Sequence, residues 1–368
     1  MNVDQETPLK SKDERIGVGF LGAGPVTQAI HLPSLARLTD LFKVSHIMDV
    51  NPAVADSVAG RVGARSSSSI DDLLADDNVE VVAICSPHQF HAEQVIAACR
   101  AGKKAVLCEK PFAVSAEEAT NICKVSAETG VPVIVGAMHT FDPGWLAAEK
   151  MWGDLPETAH YIRSSIVLPP NARFEDFATE VIARPSAMPT PDYSDPSVIK
   201  ARFEGMVLGL AIHDLPLVRR FVPDFDDLQV LHAAIAKPFG YSIVLRAGGR
   251  TIELLASINK SWKPDWTFEA YGPESALKVT FTPSYVQAGS AIAEFSTAGR
   301  KVVAGPLTYN GYEGEWRRIA GIIAGTDTAP AARTLIEDLS FALKIANAAG
   351  AAAIADMSPA VQPEEAHA

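Results

Sequence analysis

Cysteine is scarce in this sequence, with four residues in a chain of 368. Cys85, Cys99, Cys108 and Cys123 all lie in the first half, and no two of them form a CxxC pair. This number and spacing argue against a disulfide framework. We expect small, mostly buried thiols in a reducing compartment.

Positively charged residues are also few. The chain has 32 Lys and Arg against 44 Asp and Glu, so its formal net charge is −12. A negative field repels phosphate backbones and lacks the basic charge that binds membrane surfaces. We therefore expect no nucleic-acid partner and no membrane partner. Neither a run of about 18 apolar residues nor the apolar segment of a secretory signal stands out. The expected location is the cytoplasm.

The length predicts two domains, and an apolar content of 48% is typical of a globular protein. Both ends of the chain are polar, so we predict a disordered leader over residues 1–14 and a disordered tail over 358–368. The change in pattern between the halves places the domain boundary at residue 137. The two predicted domains therefore span residues 15–137 and 138–357.

The first domain alternates short apolar runs with helical patterns. Continuous apolar runs are typical of strands buried on both faces, and repeated βα units predict an α/β fold with a doubly wound parallel sheet. The predicted strands are Ile16–Leu21, Val44–Met48, Val79–Cys85, Ala105–Cys108 and Val131–Val135. The predicted helices are Val26–Leu38, Pro52–Arg61, Ile70–Leu74, His91–Ala101 and Ala116–Thr129.

In the second domain, strands follow one another. A helix over Pro143–Trp152 and a strand over Ala159–Leu168 precede a long loop, Pro169–Lys200, and a helix, Gly205–Phe221. Successive strands then predict an α+β domain with a mostly antiparallel sheet. They are Leu228–Ala236, Tyr241–Arg246, Thr251–Asn259, Trp266–Tyr271, Ala276–Phe281 and Ala291–Phe295, followed by helices around Glu315–Ala324 and Ala331–Ala353.

A glycine-rich turn joins the first strand to the first helix. It reads Gly22-Ala23-Gly24-Pro25-Val26, in the context that a dinucleotide fingerprint requires. Gly22 allows a tight turn, Gly24 lets the backbone approach a pyrophosphate, and the helix N-terminus supplies N–H donors. The usual third glycine is Thr27, and the alternative interpretation is a purely structural turn.

Asp49 ends the second strand, where an acidic residue can bind both ribose hydroxyls of adenosine. Its carboxylate would repel a 2′-phosphate, which favours NAD over NADP as the cofactor. The alternative is that Asp49 only caps the helix that begins near Pro52.

Two further clusters follow the predicted strands Val79–Cys85 and Ala105–Cys108, at the sheet edge where doubly wound folds bind ligands. Ser86-Pro87 would run beside the nicotinamide ribose, with His88 and His91 next to it. We expect no metal there, because no third ligand is convincing. The pair Glu109-Lys110 ends a buried apolar strand and is costly unless it faces a site, where the lysine could bind a substrate hydroxyl.

These motifs together resemble the glucose–fructose oxidoreductase and inositol dehydrogenase family (Gfo/Idh/MocA). The resemblance rests on Gly22-Ala-Gly24, Ser86–Glu93, Ala101-Gly102-Lys103 and Glu109-Lys110-Pro111, and it is close over residues 15–143. It implies an NAD(P)-dependent enzyme with an open-faced sheet in its second domain. It also implies that Lys110 contacts nicotinamide and substrate, and that Ser86, His91 and Glu109 lie on the cofactor side.

The resemblance weakens on the predicted helix Gly205–Phe221. The family pattern G-x-x-x-D-x-G-x-H places its histidine at His213, but its aspartate position is Gly209. Asp214 would point about 100° away on a continuous helix and cannot simply replace the missing carboxylate. We predict Lys110 and His213 as the catalytic residues, with a satisfied core histidine as the alternative for His213.

Candidate substrate residues come from the second domain. His139 and Thr140 stand where relatives often have an arginine, so His139 is a candidate titratable group near the nicotinamide, with a purely structural role as the alternative. Trp262 and Trp266 could line a sugar cleft or simply pack in the sheet. Arg163 is one of several arginines that would suit an anionic sugar, although nearby acids balance them. Gly209 is the last of the candidate substrate residues.

The predicted function is NAD-dependent hydride transfer from a ring secondary alcohol of a sugar or cyclitol, with His213 or Lys110 accepting the proton. The alternative is a redox-neutral NAD-dependent glycosidase that oxidises C3 transiently, eliminates the aglycone and adds water. A non-catalytic NAD-binding sensor is the third option. An open-faced sheet leaves one face without packing from its own chain. We therefore also expect a homodimer or homotetramer in which another subunit packs on that face.

Overall fold

The computed structural model describes residues 14–184, 191–261 and 263–355. The predicted disordered tail, and the predicted leader except for Glu14, lie outside these residues. The chain forms two sheets, one in each half, as the sequence pattern predicts.

The first half contains a six-stranded sheet in the order β3-β2-β1-β4-β5-β6, with every neighbouring pair parallel. The predicted doubly wound α/β sheet is therefore confirmed. Its strands are β1 (Ile16–Leu21), β2 (Phe42–Met48), β3 (Arg65–Ser67), β4 (Val81–Ile84), β5 (Ala105–Cys108) and β6 (Val133–Val135). Its helices are α1 (Leu32–Ala36), α2 (Pro52–Val62), α3 (Ile70–Leu74), α4 (His91–Arg100) and α5 (Ala116–Thr129).

The second half contains an eight-stranded sheet in the order β14-β13-β12-β11-β7-β10-β9-β8. Only the pair β7–β10 is parallel among these strands, so the predicted mostly antiparallel sheet is confirmed. The strands are β7 (Tyr161–Leu168), β8 (Gln229–Ile235), β9 (Phe239–Ala247), β10 (Arg250–Ile258), β11 (Asp265–Tyr271), β12 (Ser275–Thr280), β13 (Ile292–Thr297) and β14 (Arg300–Ala304). The helices are α6 (Pro143–Glu149), α7 (Leu155–Thr158), α8 (Ala172–Ala178), α9 (Pro196–Gly209), α10 (Leu215–Phe221), α11 (Gly311–Ile323) and α12 (Ala332–Ala355).

The predicted continuous helix Gly205–Phe221 is wrong. The helix α9 ends at Gly209, a 3₁₀ turn covers Ala211–His213, and α10 begins at Leu215. Pro216 lacks an N–H and fits only the first turn of a helix, so a new helix begins just before it. The break changes the direction in which His213 and Asp214 project.

The last helix, α12, is long and apolar enough to cross a membrane by length and composition alone. Core helices of globular folds have the same composition, and α12 packs against α9 and β8. Phe341 and Ile345 are buried in the core that contains residues of α9 and β8, and Leu339 is buried in the core of the first domain. Its packing identifies it as a core helix.

Candidate active site between the two sheets

A cavity of about 280 Å³ opens where the first sheet meets the second half of the chain. The segments that follow β1, β4 and β5 contribute one wall, and the end of α9, the following 3₁₀ turn and β11 contribute the other. The cofactor-side lining includes Val26, Cys85, Ser86, His88, His91, Glu109 and Lys110, and the opposite lining includes Gly209, His213 and Trp266. The structure therefore brings both predicted catalytic residues to one cavity.

The two glycines of the turn serve different needs. Gly22 has φ +97, and a β-carbon there would lie 2.8 Å from the Cys85 carbonyl oxygen. The turn therefore requires glycine at this position. A β-carbon at Gly24 would meet no protein atom within 4 Å, so protein packing does not require glycine there. The open space suits close approach of a ligand to the backbone.

Thr27, in place of a third glycine, is fully buried and donates a hydrogen bond from its hydroxyl to the Gly22 carbonyl at 2.7 Å. The chain from Thr27 to His31 forms a π-helical turn before α1. Such turns are often found at functional sites. The extra width of this turn accommodates a side chain where the fingerprint has glycine.

Asp49 is held beside the glycine turn. Its carboxylate accepts hydrogen bonds from the Ala23 N–H at 2.8 Å and the Asn51 N–H at 2.9 Å. Asn51, not Asp49, caps α2, because the Asn51 side chain accepts from the Ala53 N–H. The geometry therefore favours the ribose-binding interpretation of Asp49 over the capping alternative.

His91 joins the two loops on the cofactor side. One ring nitrogen lies 2.8 Å from the Ser86 carbonyl oxygen and the other lies 2.8 Å from the Pro111 carbonyl oxygen. This buried imidazole fixes the loop after β4 against the loop after β5. Pro87 and His88 lie exposed at the mouth, and the described residues contain no cluster of three metal-ligating side chains.

Lys110 crosses the cavity to the second domain. Its Nζ donates a hydrogen bond to the Gly209 carbonyl at 2.9 Å. Burial lowers the pKa of Lys110, and the nearby Glu109 carboxylate only partly offsets it. A main-chain carbonyl at the end of α9 therefore holds the ammonium, at the position for which the resemblance predicts an aspartate.

Glu109 is buried below Lys110. Burial raises its pKa, but the hydrogen bond and charge of His31 and the charge of Lys110 outweigh this and lower it. The two groups are close, since His31 Nε2 lies 3.0 Å from Glu109 Oε1. Glu109 is therefore the anion that balances the lysine.

His213 lies on the 3₁₀ turn with its Nδ1 3.1 Å from the Met138 sulfur. The Trp266 ring packs edge-on against it, with ring centres 5.4 Å apart. Burial, together with the charges of Lys110 and His139, holds the pKa of His213 well below its usual value. An imidazole that donates Nδ1–H to the sulfur keeps a lone pair on Nε2, so it can accept a proton.

His139 is buried behind the cavity and does not line it, so its place near the nicotinamide stays a prediction. Its Nδ1 is 2.7 Å from Asp214 Oδ1, and its ring stacks on Phe281. The fully buried Asp214 carboxylate also accepts hydrogen bonds from the Ser164 hydroxyl at 2.6 Å and the Trp266 indole at 2.8 Å. This network holds Trp266 in the cavity wall. The Asp214 carboxylate bonds these three side chains and not Lys110.

The other substrate predictions have mixed outcomes. Arg163 does not line the cavity, because it projects from the face of β7 opposite to Ser164 and pairs with Glu253 and Glu269. Thr140 bonds the Ala137 carbonyl and lines a separate cavity of about 320 Å³ that also touches Lys110. Trp262 lies outside the described residues.

Sequence reasoning missed several residues of the cavity. Tyr285 and Tyr312 line it, and Tyr285 has φ +69, a conformation that non-glycine residues rarely adopt. Burial and the carboxylates of Glu175 and Glu109 raise the pKa of Tyr285. Neither tyrosine stands in a recognisable motif. His31, five residues after Val26, could have been found as a polar residue on the buried face of the first helix.

Residues 16–137 match the model of an oxidoreductase family with an NAD-binding Rossmann fold, GFO_IDH_MocA. The N-terminal domain belongs to the Gfo/Idh/MocA oxidoreductase family. The family description gives this domain an NAD(P)-binding Rossmann fold, and the open space at Gly24 agrees with it.

Curated relatives align over the same domain. The chain is 36% identical over 137 residues to inositol 2-dehydrogenase 3 of Saccharopolyspora erythraea, covering 37% of this chain and 40% of the relative. It is 31% identical over 136 residues to 2,7-anhydro-N-acetylneuraminate hydratase of Escherichia coli, covering 37% of this chain and 34% of that protein. The matches thus span about two fifths or less of these relatives.

Solved structures resemble the whole fold. UDP-N-acetylglucosamine 3-dehydrogenase from Acidithiobacillus ferrooxidans superposes with a TM-score of 0.69 at 19% identity, covering 92% of this chain and 98% of the other. A 3-ketoreductase from Actinomadura kijaniata, in complex with NADP, gives 0.67 at 19% identity, with 92% and 98% covered. At this identity the likeness shows the fold alone.

Proposed function

We propose that the protein is an NAD-dependent oxidoreductase acting on a ring secondary alcohol of a sugar or cyclitol. The observation that carries the proposal is the meeting of Lys110 Nζ and His213 in one cavity beside the glycine turn. Hydride transfer from an alcohol needs a group that takes the hydroxyl proton close to the cofactor, and both residues are titratable groups of that kind.

The residues around the turn fit NAD. The open space at Gly24 and the N–H groups of the following helix suit the pyrophosphate, and Asp49 suits the ribose hydroxyls. NAD supplies the nicotinamide ring that accepts the hydride. Asp49 favours NAD over NADP because a carboxylate repels a 2′-phosphate.

The chain's own residues handle the proton. His213 stays neutral because burial and neighbouring positive charge lower its pKa, so its Nε2 can receive the hydroxyl proton. Lys110, held by the Gly209 carbonyl, can donate a hydrogen bond to the substrate oxygen. Trp266 offers an aromatic wall to the C–H face of a ring.

A second candidate is a redox-neutral NAD-dependent glycosidase. A side chain at Gly209 would meet no protein atom within 4 Å of its β-carbon, so there is free space beside Lys110 for an aglycone. A relative named as a hydratase also supports chemistry in which water is added. Both proposals share the oxidation of an alcohol to a ketone. The ketone and NADH are released by the dehydrogenase, whereas in the glycosidase both are transient.

The test is incubation of the protein with NAD and a panel of sugars, cyclitols and glycosides, with NADH absorbance and product formation followed together. NADH and ketone in equal amounts support the dehydrogenase. Aglycone release that needs catalytic NAD without net NADH supports the glycosidase. NAD binding without turnover of any compound in the panel would contradict both.

A further inference from the structure

A short segment of the second half of the chain, residues 179–184, lies on the first half, and we call it the crossing segment. It directly follows α8, and Asn171, just before α8, lines the active-site cavity. Ile182 packs against the hydrophobic core of the first half, whereas the preceding Val181 packs against the core of the second half. Neighbouring residues of the crossing segment therefore contact both cores.

Gln28 joins the crossing segment to the glycine turn. It lies in the π-helical turn and is 2% exposed. Its amide nitrogen donates to the Ile182 carbonyl at 3.1 Å, and its amide oxygen accepts from the Ile182 N–H at 3.1 Å. The same nitrogen donates to the Ala23 carbonyl at 2.7 Å. A primary amide has two N–H donors, so one serves the crossing segment and the other serves the turn.

The Ala23 carbonyl belongs to the peptide that joins Ala23 to Gly24. This peptide is trans, so its N–H points opposite to its carbonyl. A hydrogen bond that fixes the Ala23 carbonyl therefore also fixes the direction of the Gly24 N–H. N–H groups of such a turn are the donors that bind a pyrophosphate. Gln28 is thus placed to orient a cofactor-binding donor.

Further contacts hold the crossing segment in place. Arg61, at the end of α2, donates to the Glu180 carbonyl at 2.6 Å. Arg184 pairs with the buried Glu175 of α8 at 3.3 Å. Ala183 has φ +57, a conformation that non-glycine residues rarely adopt and that persists only where the surroundings impose it. The crossing segment is therefore fixed in one strained arrangement on the first half.

We propose that Gln28 is a positioning residue for the cofactor, and that NAD binding and the docking of the crossing segment on Gln28 strengthen each other. The docked segment holds the Gln28 amide, which holds the Ala23 carbonyl and so directs the Gly24 N–H at the pyrophosphate. A bound pyrophosphate holds the same N–H and keeps the carbonyl directed at Gln28. Such coupling is reciprocal. The proposal rests on the cofactor placement given above and not on the identity of the substrate.

The first test is hydrogen–deuterium exchange of the full-length protein, followed by peptide mass spectrometry. Saturating NAD should slow exchange of the peptide that covers residues 179–184 about 3-fold or more in the wild type, because NAD strengthens the docking. In Gln28→Ala the same peptide should exchange faster, and NAD should not slow it. Exchange in the wild type that NAD does not change would overturn the coupling.

The second test is titration of the Gln28 variants with NAD. Gln28→Ala should bind NAD about 10-fold more weakly, because the hydrogen bonds that orient the peptide are lost. Gln28→Glu keeps an oxygen that accepts from the Ile182 N–H but loses the donor to Ala23, so it should be weakened as much. Gln229→Ala, at an exposed position on β8, is the control. An affinity of Gln28→Glu equal to that of the control would overturn the positioning role.

Arg61→Ala carries the test if the Gln28 variants do not fold. Arg61 is exposed, and its removal releases the Glu180 carbonyl without changing Gln28 or the glycine turn. Exchange over residues 179–184 should be faster and NAD binding about 3-fold weaker. Arg100→Ala, at the exposed end of α4, is the control. Faster exchange with unchanged NAD affinity would overturn the coupling.

The outcomes separate this proposal from the proposed function. Normal NAD binding with the expected exchange pattern, but without turnover of any compound in the panel, would contradict the proposed function and support the role of Gln28. Turnover with NAD that is insensitive to both Gln28 variants would do the reverse. A wild-type protein that does not bind NAD would overturn both.

Discussion

On the cofactor side of the cleft, Gly22, Asp49 and His91 are held by hydrogen bonds to main-chain atoms. On the substrate side, Trp266 and His139 are held by one buried carboxylate, that of Asp214. Because main-chain atoms hold these groups, their positions depend little on the identity of neighbouring side chains. The proposed substrate wall, formed by Trp266 and the side chains that hold it, depends on a network centred on Asp214. A single substitution there can therefore move several groups at once.

The largest expected effect is on Lys110, which spans both sides. Lys110→Ala should reduce turnover by about 10²-fold or more, because a positioned proton-transfer group is lost. NAD affinity should remain close to wild type, since the glycine turn and Asp49 hold the cofactor. Lys104→Ala is the matched control, because that lysine pairs with Glu80 at the surface. Near-normal turnover in Lys110→Ala would remove the lysine from the chemistry.

Gly209 tests the substrate side alone. Gly209→Asp should lower activity on the true substrate by about 10-fold or more, because a side chain fills the free space and a desolvated charge is costly. NAD affinity should not change. Gly205→Asp is the control, one turn earlier on α9 with the same free space but an exposed position. Steady-state kinetics that match the control would show that the space at Gly209 is not used.

Asp49 tests the cofactor side alone. Asp49→Ser should weaken NAD binding and reduce the preference for NAD over NADP, which we expect to be at least about 10-fold in the wild type. Titration with each nucleotide measures both. Asp56→Ser on the exposed face of α2 is the control. Equal wild-type affinities for NAD and NADP would remove Asp49 from the ribose site.

Asp214 tests whether one carboxylate organises the substrate wall. Asp214→Asn should cost about 1–3 kcal/mol of unfolding free energy, because a buried charged acceptor is replaced and one of its donors is left unsatisfied. Asp224→Asn, at an exposed position, is the control in the same denaturant titration. A stability equal to the control would show that the network contributes nothing.

The pH dependence should show the smallest change. His213 has a lowered pKa, so its neutral, proton-accepting form persists below the ordinary histidine value of about 6.5. Activity that depends on this base should therefore hold as the pH falls through 6.5 and decline only at more acidic pH. A rate profile that halves near 6.5 would contradict the buried, neutral His213.

Several helices and strands could be predicted from the sequence because their residues follow a local pattern. Ile16–Leu21, Ala105–Cys108 and Ala116–Thr129 have the predicted bounds, because continuous apolar runs and helical periodicity reflect local burial. The three-residue edge strand Arg65–Ser67 was missed, since an edge strand needs no apolar run. Gly248 and Gly249 turn the chain between β9 and β10, and both have positive φ, which is why this turn uses glycine.

The substrate wall was harder to predict for a physical reason. Asp214 bonds His139 and Ser164 across 75 and 50 residues of sequence, and no local pattern encodes such contacts. We assumed that one regular helix runs from Gly209 to His213. The helix ends at Gly209 instead, so helical spacing does not give the direction of His213. The position of Arg163 outside the cavity could not be predicted, because alternation along a strand shows two faces but not which one meets the first domain.

The most direct test of the account is to follow the hydride itself. A substrate identified from the panel, deuterated at its carbinol carbon, would be mixed with a stoichiometric amount of protein and NAD and quenched within one turnover. The account predicts that mass spectrometry finds the reduced cofactor carrying deuterium, for the dehydrogenase and for the redox-neutral glycosidase alike. Product formation with no deuterium in the cofactor at any time would contradict it.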